Sequence, residues 1–172
     1  ALKKYPRNTY FIADKLPIWM CDTKEDMKRV FDEQLERTGM DYFDFYLLHS
    51  LDKENFEKCE KLGAYDFIKQ KQKEGKIKYI GFSFHGTVDD LRHIVSAHDW
   101  DFHQIKMNYF DWENKNAKTQ YQTLEDADIP TIVMEPVRGG KLALVNNEIK
   151  DMFKSKKPNM SVASWAMGFV AS

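Results

Sequence analysis

Hydrophobic residues in this chain fall into short, nearly continuous runs, separated by longer segments in which apolar positions recur every three or four residues. The runs are Tyr10–Leu16, Tyr42–Leu48, Tyr79–Phe84, Phe102–Phe110 and Pro130–Pro136. Runs this apolar and this short read as strands covered on both faces, so the first is expected inside the sheet and not at its edge. The intervening segments read as amphipathic helices. Thr23 with Asp26 resembles a capping box, and Met27, Val30, Phe31 and Leu35 then share one helical face until Gly39. A polar loop leads to a second helix over Ala64–Glu74 that stops at Gly75, and Thr87 with Asp90 opens a third carrying Leu91, Ile94 and Val95. Ala117, Tyr121, Leu124 and Ala127 mark a fourth. Ser161 caps a last one with Ala163, Ala166, Phe169 and Val170 inward, and the chain then stops without a terminating signal.

Strand and helix alternate, which requires a parallel sheet with right-handed crossovers. Each apolar run also ends on a polar residue: Lys15, His49, Ser83, Asn108 and Glu135. Parallel strands would carry all five ends to one rim, where α/β barrels keep their chemistry. No Gly-x-Gly-x-x-Gly follows the first run, which argues against a dinucleotide-binding open sheet. A closed eight-stranded barrel takes roughly 250 residues. The expectation is therefore one domain over residues 1–172, an α/β fold that is a partial (β/α)8 TIM barrel with about five β/α units visible.

Composition narrows the partners. The chain has 172 residues, 42% hydrophobic and 14% aromatic, enough for a sizeable core, and 26 Lys plus Arg nearly cancel 27 Asp plus Glu. No basic footprint points to nucleic acid, and no run of roughly 18 apolar residues points to a membrane. The opening Ala1-Leu2-Lys3-Lys4-Tyr5-Pro6 lacks a signal-peptide core, which makes the cytoplasm the expected location. Cys21 and Cys59 stand far apart outside any Cys-x-x-Cys spacing, so they read as ordinary thiols. A small molecule is the expected ligand.

Lys15 sits among Phe11, Ile12, Ala13 and Leu16. A desolvated ammonium needs a partner, and alternation along a strand turns neighbouring Asp14 to the opposite face. Such a lysine can lower the pKa of a nearby phenol or thiol, or form a Schiff base. His49 closes the next strand and would share the cavity, with His85 as a third candidate, whereas His93, His98 and His103 read as structural. Ser83 and Gln104 could hydrogen-bond a ligand amide. In Glu135-Pro136-Val137-Arg138-Gly139-Gly140-Lys141, paired glycines and two cations could face a phosphate, or form a solvated turn.

Five ordered motifs carry a resemblance: Phe11-Ile12-Ala13-Asp14-Lys15-Leu16, Asp41 to Ser50, Gly75 to Ser83, Gln104-Ile105-Lys106-Met107-Asn108-Tyr109, and Val133 to Leu142. Together they resemble the aldo/keto reductase family over nearly the whole chain, as strands 3 to 7 of its barrel. The Glu-Pro-Val-Arg-Gly-Gly segment most resembles the bacterial branch that often carries a ferredoxin-like tail, although no clustered cysteines support an iron-sulfur cluster. The resemblance implies reduction of an aldehyde or ketone by hydride from NADP(H), with NAD(H) left open, through an Asp-Tyr-Lys-His tetrad. Lys15 matches the lysine, which lowers the pKa of the proton-donating tyrosine, and His49 matches the histidine, which orients the carbonyl. Ser83 and Gln104 match residues that hold the nicotinamide carboxamide. Glu135, Pro136, Val137, Arg138, Gly139 and Gly140 match the start of the loop along the pyrophosphate.

The departures define the alternatives. The tetrad's aspartate and tyrosine precede the lysine, and no matching motif precedes Lys15, Tyr5 and Tyr10 being wrongly placed. Phe84 stands where an asparagine usually follows the serine, and Met134 where many relatives stack an aromatic ring on the nicotinamide. The leading expectation is the central part of a reductase active only as a complete barrel. The rival readings are a non-catalytic nucleotide-binding regulatory relative and a barrel aldolase with Lys15 as its Schiff-base lysine. A metal hydrolase using His49, His85 and Glu135 lacks a His-x-His pair.

Overall fold

A computed structural model describes residues 2–172; Ala1, the first residue of the expected domain, lies outside them. Five strands, β1 (Ala13–Leu16), β2 (Phe43–Leu51), β3 (Ile77–Phe84), β4 (Phe102–Lys106) and β5 (Thr131–Met134), form one sheet in sequential order. Every pairing is parallel. Helices α1 (Lys24–Thr38), α2 (Lys53–Leu62), α3 (Ala64–Lys73), α4 (Val88–Ala97), α5 (Tyr109–Asn114) and α6 (Ala117–Asp126) connect the strands, and α7 (Asn147–Lys156) and α8 (Val162–Val170) follow β5. Both capping boxes form: Thr23 and Asp26 open α1, and Thr87 and Asp90 open α4.

Register sorts the strand residues onto two faces. Lys15 pairs with Leu47, Leu47 with Gly81 and Gly81 with Phe102, so these residues share a face with their neighbours two along. The opposite face carries Leu16, Tyr46, Leu48, Ile80, Phe82 and Ile105, all fully buried. It packs on the helices: Phe31 of α1 meets Phe43 and Tyr46 edge-on at 5.8 and 5.0 Å, and Trp100 meets Phe82 at 4.9 Å. The concave face holds an aromatic group, with Phe45 stacked on Tyr79 at 5.4 Å and edge-on to Phe102 at 5.2 Å. Gly81 makes room there, because a Cβ at that position would lie 2.4 Å from the Phe102 carbonyl oxygen.

Two expectations need correction. The first strand starts at Ala13 and not Tyr10, and it forms one edge of the sheet instead of a central position. Phe11 is 76% exposed, and the Ile12 backbone is held by the carboxylate of Asp44, which accepts from its N–H at 2.9 Å. Asp44 is itself almost fully buried and paired with Arg7 at 2.6 Å and Lys78 at 2.9 Å. The fourth strand stops at Lys106 instead of running to Phe110, because Asn108 turns its side chain to cap α5. No helix among the described residues is long and apolar enough to cross a membrane.

Candidate active site

The concave face ends at a rim where β1 to β4 deliver Lys15, His49, Ser83 and Gln104. Lys15 Nζ donates to Gln104 Oε1 at 2.5 Å across the sheet. Burial lowers the lysine's pKa, with Asp14 opposing the shift. Asp14 points to the opposite face, as alternation requires, and its carboxylate accepts from the Lys15 backbone N–H at 2.8 Å.

His49 stands half-buried with its ring 4.9 Å from that of Trp19, which lies in a 3-10 turn over Ile18–Met20 just after β1. Burial, then the Lys15 charge, then His85 hold its pKa below the usual histidine value. His85 is lowered for the same reason, first by burial and next by Lys106 and Lys15. The imidazole of His49 is thus a neutral hydrogen-bonding group beside a cation at neutral pH.

Ser83 is fully buried, and its Oγ accepts from the Ser50 backbone N–H at 2.8 Å. That bond pins Ser50 in a left-handed conformation, φ 58°, where the β2–β3 register shifts just beyond His49. The hydroxyl therefore shapes the end of the histidine's strand. Gln104 spends its oxygen on Lys15, while its Nε2 has no partner among the described residues.

Glu135 to Gly140 form a tight turn after β5, with Arg138 N–H bonded to Glu135 O and Gly140 N–H to Val137 O. Glu135, Arg138, Gly139 and Gly140 all have positive φ, and a Cβ at either glycine would meet nothing within 4 Å, so the space above the turn is open. Arg138 is anchored by Asp111 at 3.2 Å and stacked over Phe110 at 4.3 Å. Asn108 joins the ends of β4 and β5, accepting from Asp111 N–H and donating to Glu135 O at 3.2 Å. Lys106 pairs with Glu135 at 3.1 Å, and Met134 lies beside Lys106 in register on the concave face. A cleft of about 550 Å³ opens against this turn, lined by Phe84, His85, Lys106, Glu135, Arg138 and Gly139 among others. Lys15 and His49 lie outside its lining. Pro136 and Val137 are half-buried parts of the same turn. Among the described residues no cluster of three His, Cys, Asp or Glu side chains could hold a metal.

The model of the aldo/keto reductase family matches residues 1–168. The chain belongs to this family. An NADPH-dependent alpha-keto amide reductase of Saccharomyces cerevisiae is 39% identical over 102 residues, covering 56% of this chain and 31% of that protein. Among solved structures, an aldo-keto reductase from a Medee basin deep-sea metagenome library superposes with a TM-score of 0.73 at 22% identity, over 96% of this chain and 59% of its own. A Bombyx mori aldo-keto reductase in complex with NADP gives 0.60 at 17% identity, over 79% and 45%. The five parallel strands are thus those of a partial TIM barrel, and the chain spans well under two thirds of each of these proteins.

Motif reading also passed over the buried polar residue Gln34 on α1. It lies on the buried stripe of Met27, Val30 and Phe31, and a polar residue at that spacing was the available signal.

Proposed function

We propose that this aldo/keto reductase chain is the central part of an NADP(H)-dependent carbonyl reductase that works as a complete barrel in the cytoplasm on a small aldehyde or ketone. The observation that carries the reading is the meeting of Lys15, His49 and Gln104 on one concave rim beside the open glycine turn.

The donor set fits the cofactor. Gln104 offers an uncommitted amide N–H to a carboxamide, Met134 offers a flat thioether surface beside it, and the turn from Glu135 to Gly140 opens toward a cleft that also holds Arg138 and Lys106. NADP(H), when bound, supplies or accepts the hydride. Lys15 contributes positive charge in a half-buried setting, where it stabilises a neighbouring phenolate more than it would in water. His49, neutral and braced by Trp19, donates a hydrogen bond that orients a carbonyl oxygen. Ser83 acts from below by fixing the strand that carries His49.

Assay of the complete protein for NADPH oxidation over a broad carbonyl panel tests the reading, and activity with at least one aldehyde or ketone is expected. An absence of turnover together with tight NADPH binding would instead favour a regulatory nucleotide-binding relative, which Phe84 in the cleft wall makes the specific rival. Borohydride trapping of a carbonyl on Lys15 would replace the reductase with an aldolase.

A further inference from the structure

Leu48 and Leu51 stand three residues apart, so in a regular strand they would point to opposite faces. Both are instead fully buried in the core on the helix side, because Leu48 pairs with Phe82 and Leu51 with Phe84. Three steps along β2 therefore match two along β3, and His49 and Ser50 together oppose Ser83. A one-residue bulge of this kind re-aims the side chain it carries, and it is rare between parallel strands. The side chain it carries here is His49.

Ser50 does not hold that geometry unaided. Its φ of 58° lies in the left-handed region, which a residue with a side chain keeps only where its surroundings impose it. Three hydrogen bonds do so. The Ser50 N–H donates to Ser83 Oγ at 2.8 Å, the Ser50 carbonyl accepts from Asn55 Nδ2 at 2.9 Å, and the Leu51 carbonyl accepts from the His85 N–H at 2.8 Å. The first and third partners belong to β3 and the residue after it, whereas Asn55 reaches the bulge from the first turn of α2. That turn is itself fixed, since the Asp52 carboxylate accepts from the Asn55 backbone N–H at 2.8 Å. A carbonyl only accepts, so the amide nitrogen of Asn55 must face Ser50. Every group in this set lies on β2, on β3 or in the short connections beyond them, and β2 is paired on both sides.

We infer that Asn55 is the positioning residue for His49: by holding the Ser50 carbonyl it locks the left-handed bulge and so sets where the imidazole stands in the active site. The inference rests on the catalytic reading of His49, and one of the two measurements below is independent of it. A misplacement of about 1 Å at a group that orients a substrate can cost on the order of a hundredfold in rate, so loss of this hydrogen bond is expected to be visible in the kinetics.

The experiment uses the complete protein and the variants Asn55→Asp and Asn55→Ala. Asp keeps the shape and suits the first turn of a helix, but its carboxylate cannot donate to the Ser50 carbonyl. Ala removes the amide without adding a charge. The first measurement is the titration of the His49 imidazole by NMR, with the buried His103 as internal reference. The second is steady-state kinetics with NADPH and the best carbonyl substrate. In both variants the His49 titration is expected to move up toward the ordinary value of about 6.5, as the ring leaves its half-buried place beside Lys15, while His103 does not move. The kcat/KM for the carbonyl is expected to fall about tenfold with little change in the KM for NADPH. Asn55→Asp carries the test if Asn55→Ala does not fold. A His49 titration and a kcat/KM that stay native in both variants would overturn the inference, whatever the thermal midpoint does, and leave Asn55 a residue of the helix start alone. If the titration moves while neither the native protein nor the variants reduce any carbonyl, the positioning role stands and the reductase reading fails.

Discussion

Lys15 on β1 and Gln104 on β4 share a hydrogen bond although β2 and β3 lie between their strands. Adjacent strands are about 4.8 Å apart, so a flat sheet would separate these positions by roughly 14 Å. The contact exists because the sheet curls with both side chains on its concave face. Replacing Gln104 with Leu removes one hydrogen bond to a charged group and the amide available to a ligand. A loss in kcat/KM of about ten- to a hundredfold is expected, on the order of 1.4 to 3 kcal/mol, with part of it in the KM for NADPH. Steady-state kinetics of Q104L checks this.

The opposite end of the sheet concerns stability, not chemistry. Burial alone would raise the pKa of Asp44, but hydrogen bonds from Lys78, the Ile12 N–H and Arg7 outweigh it and hold it below the usual carboxylate value. Its contribution is therefore present above the unfolded pKa and lost as pH falls through the folded one. Asp44→Asn is expected to cost about 2 to 4 kcal/mol in urea unfolding near neutral pH while leaving kcat unchanged.

His103 gives a second pH signature. It is fully buried on β4, with Nε2 2.7 Å from Thr131 Oγ1, and burial pushes its pKa down to about 4. Its unfolded value lies near 6.5, so the unfolded state binds the proton first, and stability is lost as pH falls from about 6.5 toward 4. His103→Leu is expected to flatten that part of the pH dependence, read as the thermal midpoint measured from pH 7 to pH 4.

Gly81→Ala tests the curl itself. The added methyl would press on the Phe102 carbonyl oxygen, a backbone atom of the paired strand that cannot turn aside. A destabilisation of about 2 kcal/mol or more is expected, with loss of activity following from the displaced β4.

Much of this was legible in the sequence because local chemistry and tertiary packing agree. The capping boxes at Thr23 and Thr87 form, and the strand ends at Lys15, His49 and Ser83 share one face with Gln104 from within the fourth run, whereas the fourth run's expected end, Asn108, lies past its strand. Helix α2 was hidden because it buries only Phe56 and Cys59 in ten otherwise mostly polar residues, and α7 because it has no buried residue at all. Asn108 continues an apolar run in the sequence, yet its side chain competes for the backbone and caps a helix instead. The tie from Asn55 to Ser50 joins a helix to a strand and depends on which way an amide points, which no spacing reveals.

The measurement that tests the central claim most directly is the rate of NADPH oxidation by the complete protein in a stopped-flow single turnover, with native sequence and with Lys15→Met. The account predicts a fall of about a thousandfold in the hydride-transfer step with NADPH affinity nearly unchanged. An unchanged rate in the Lys15→Met protein would contradict it.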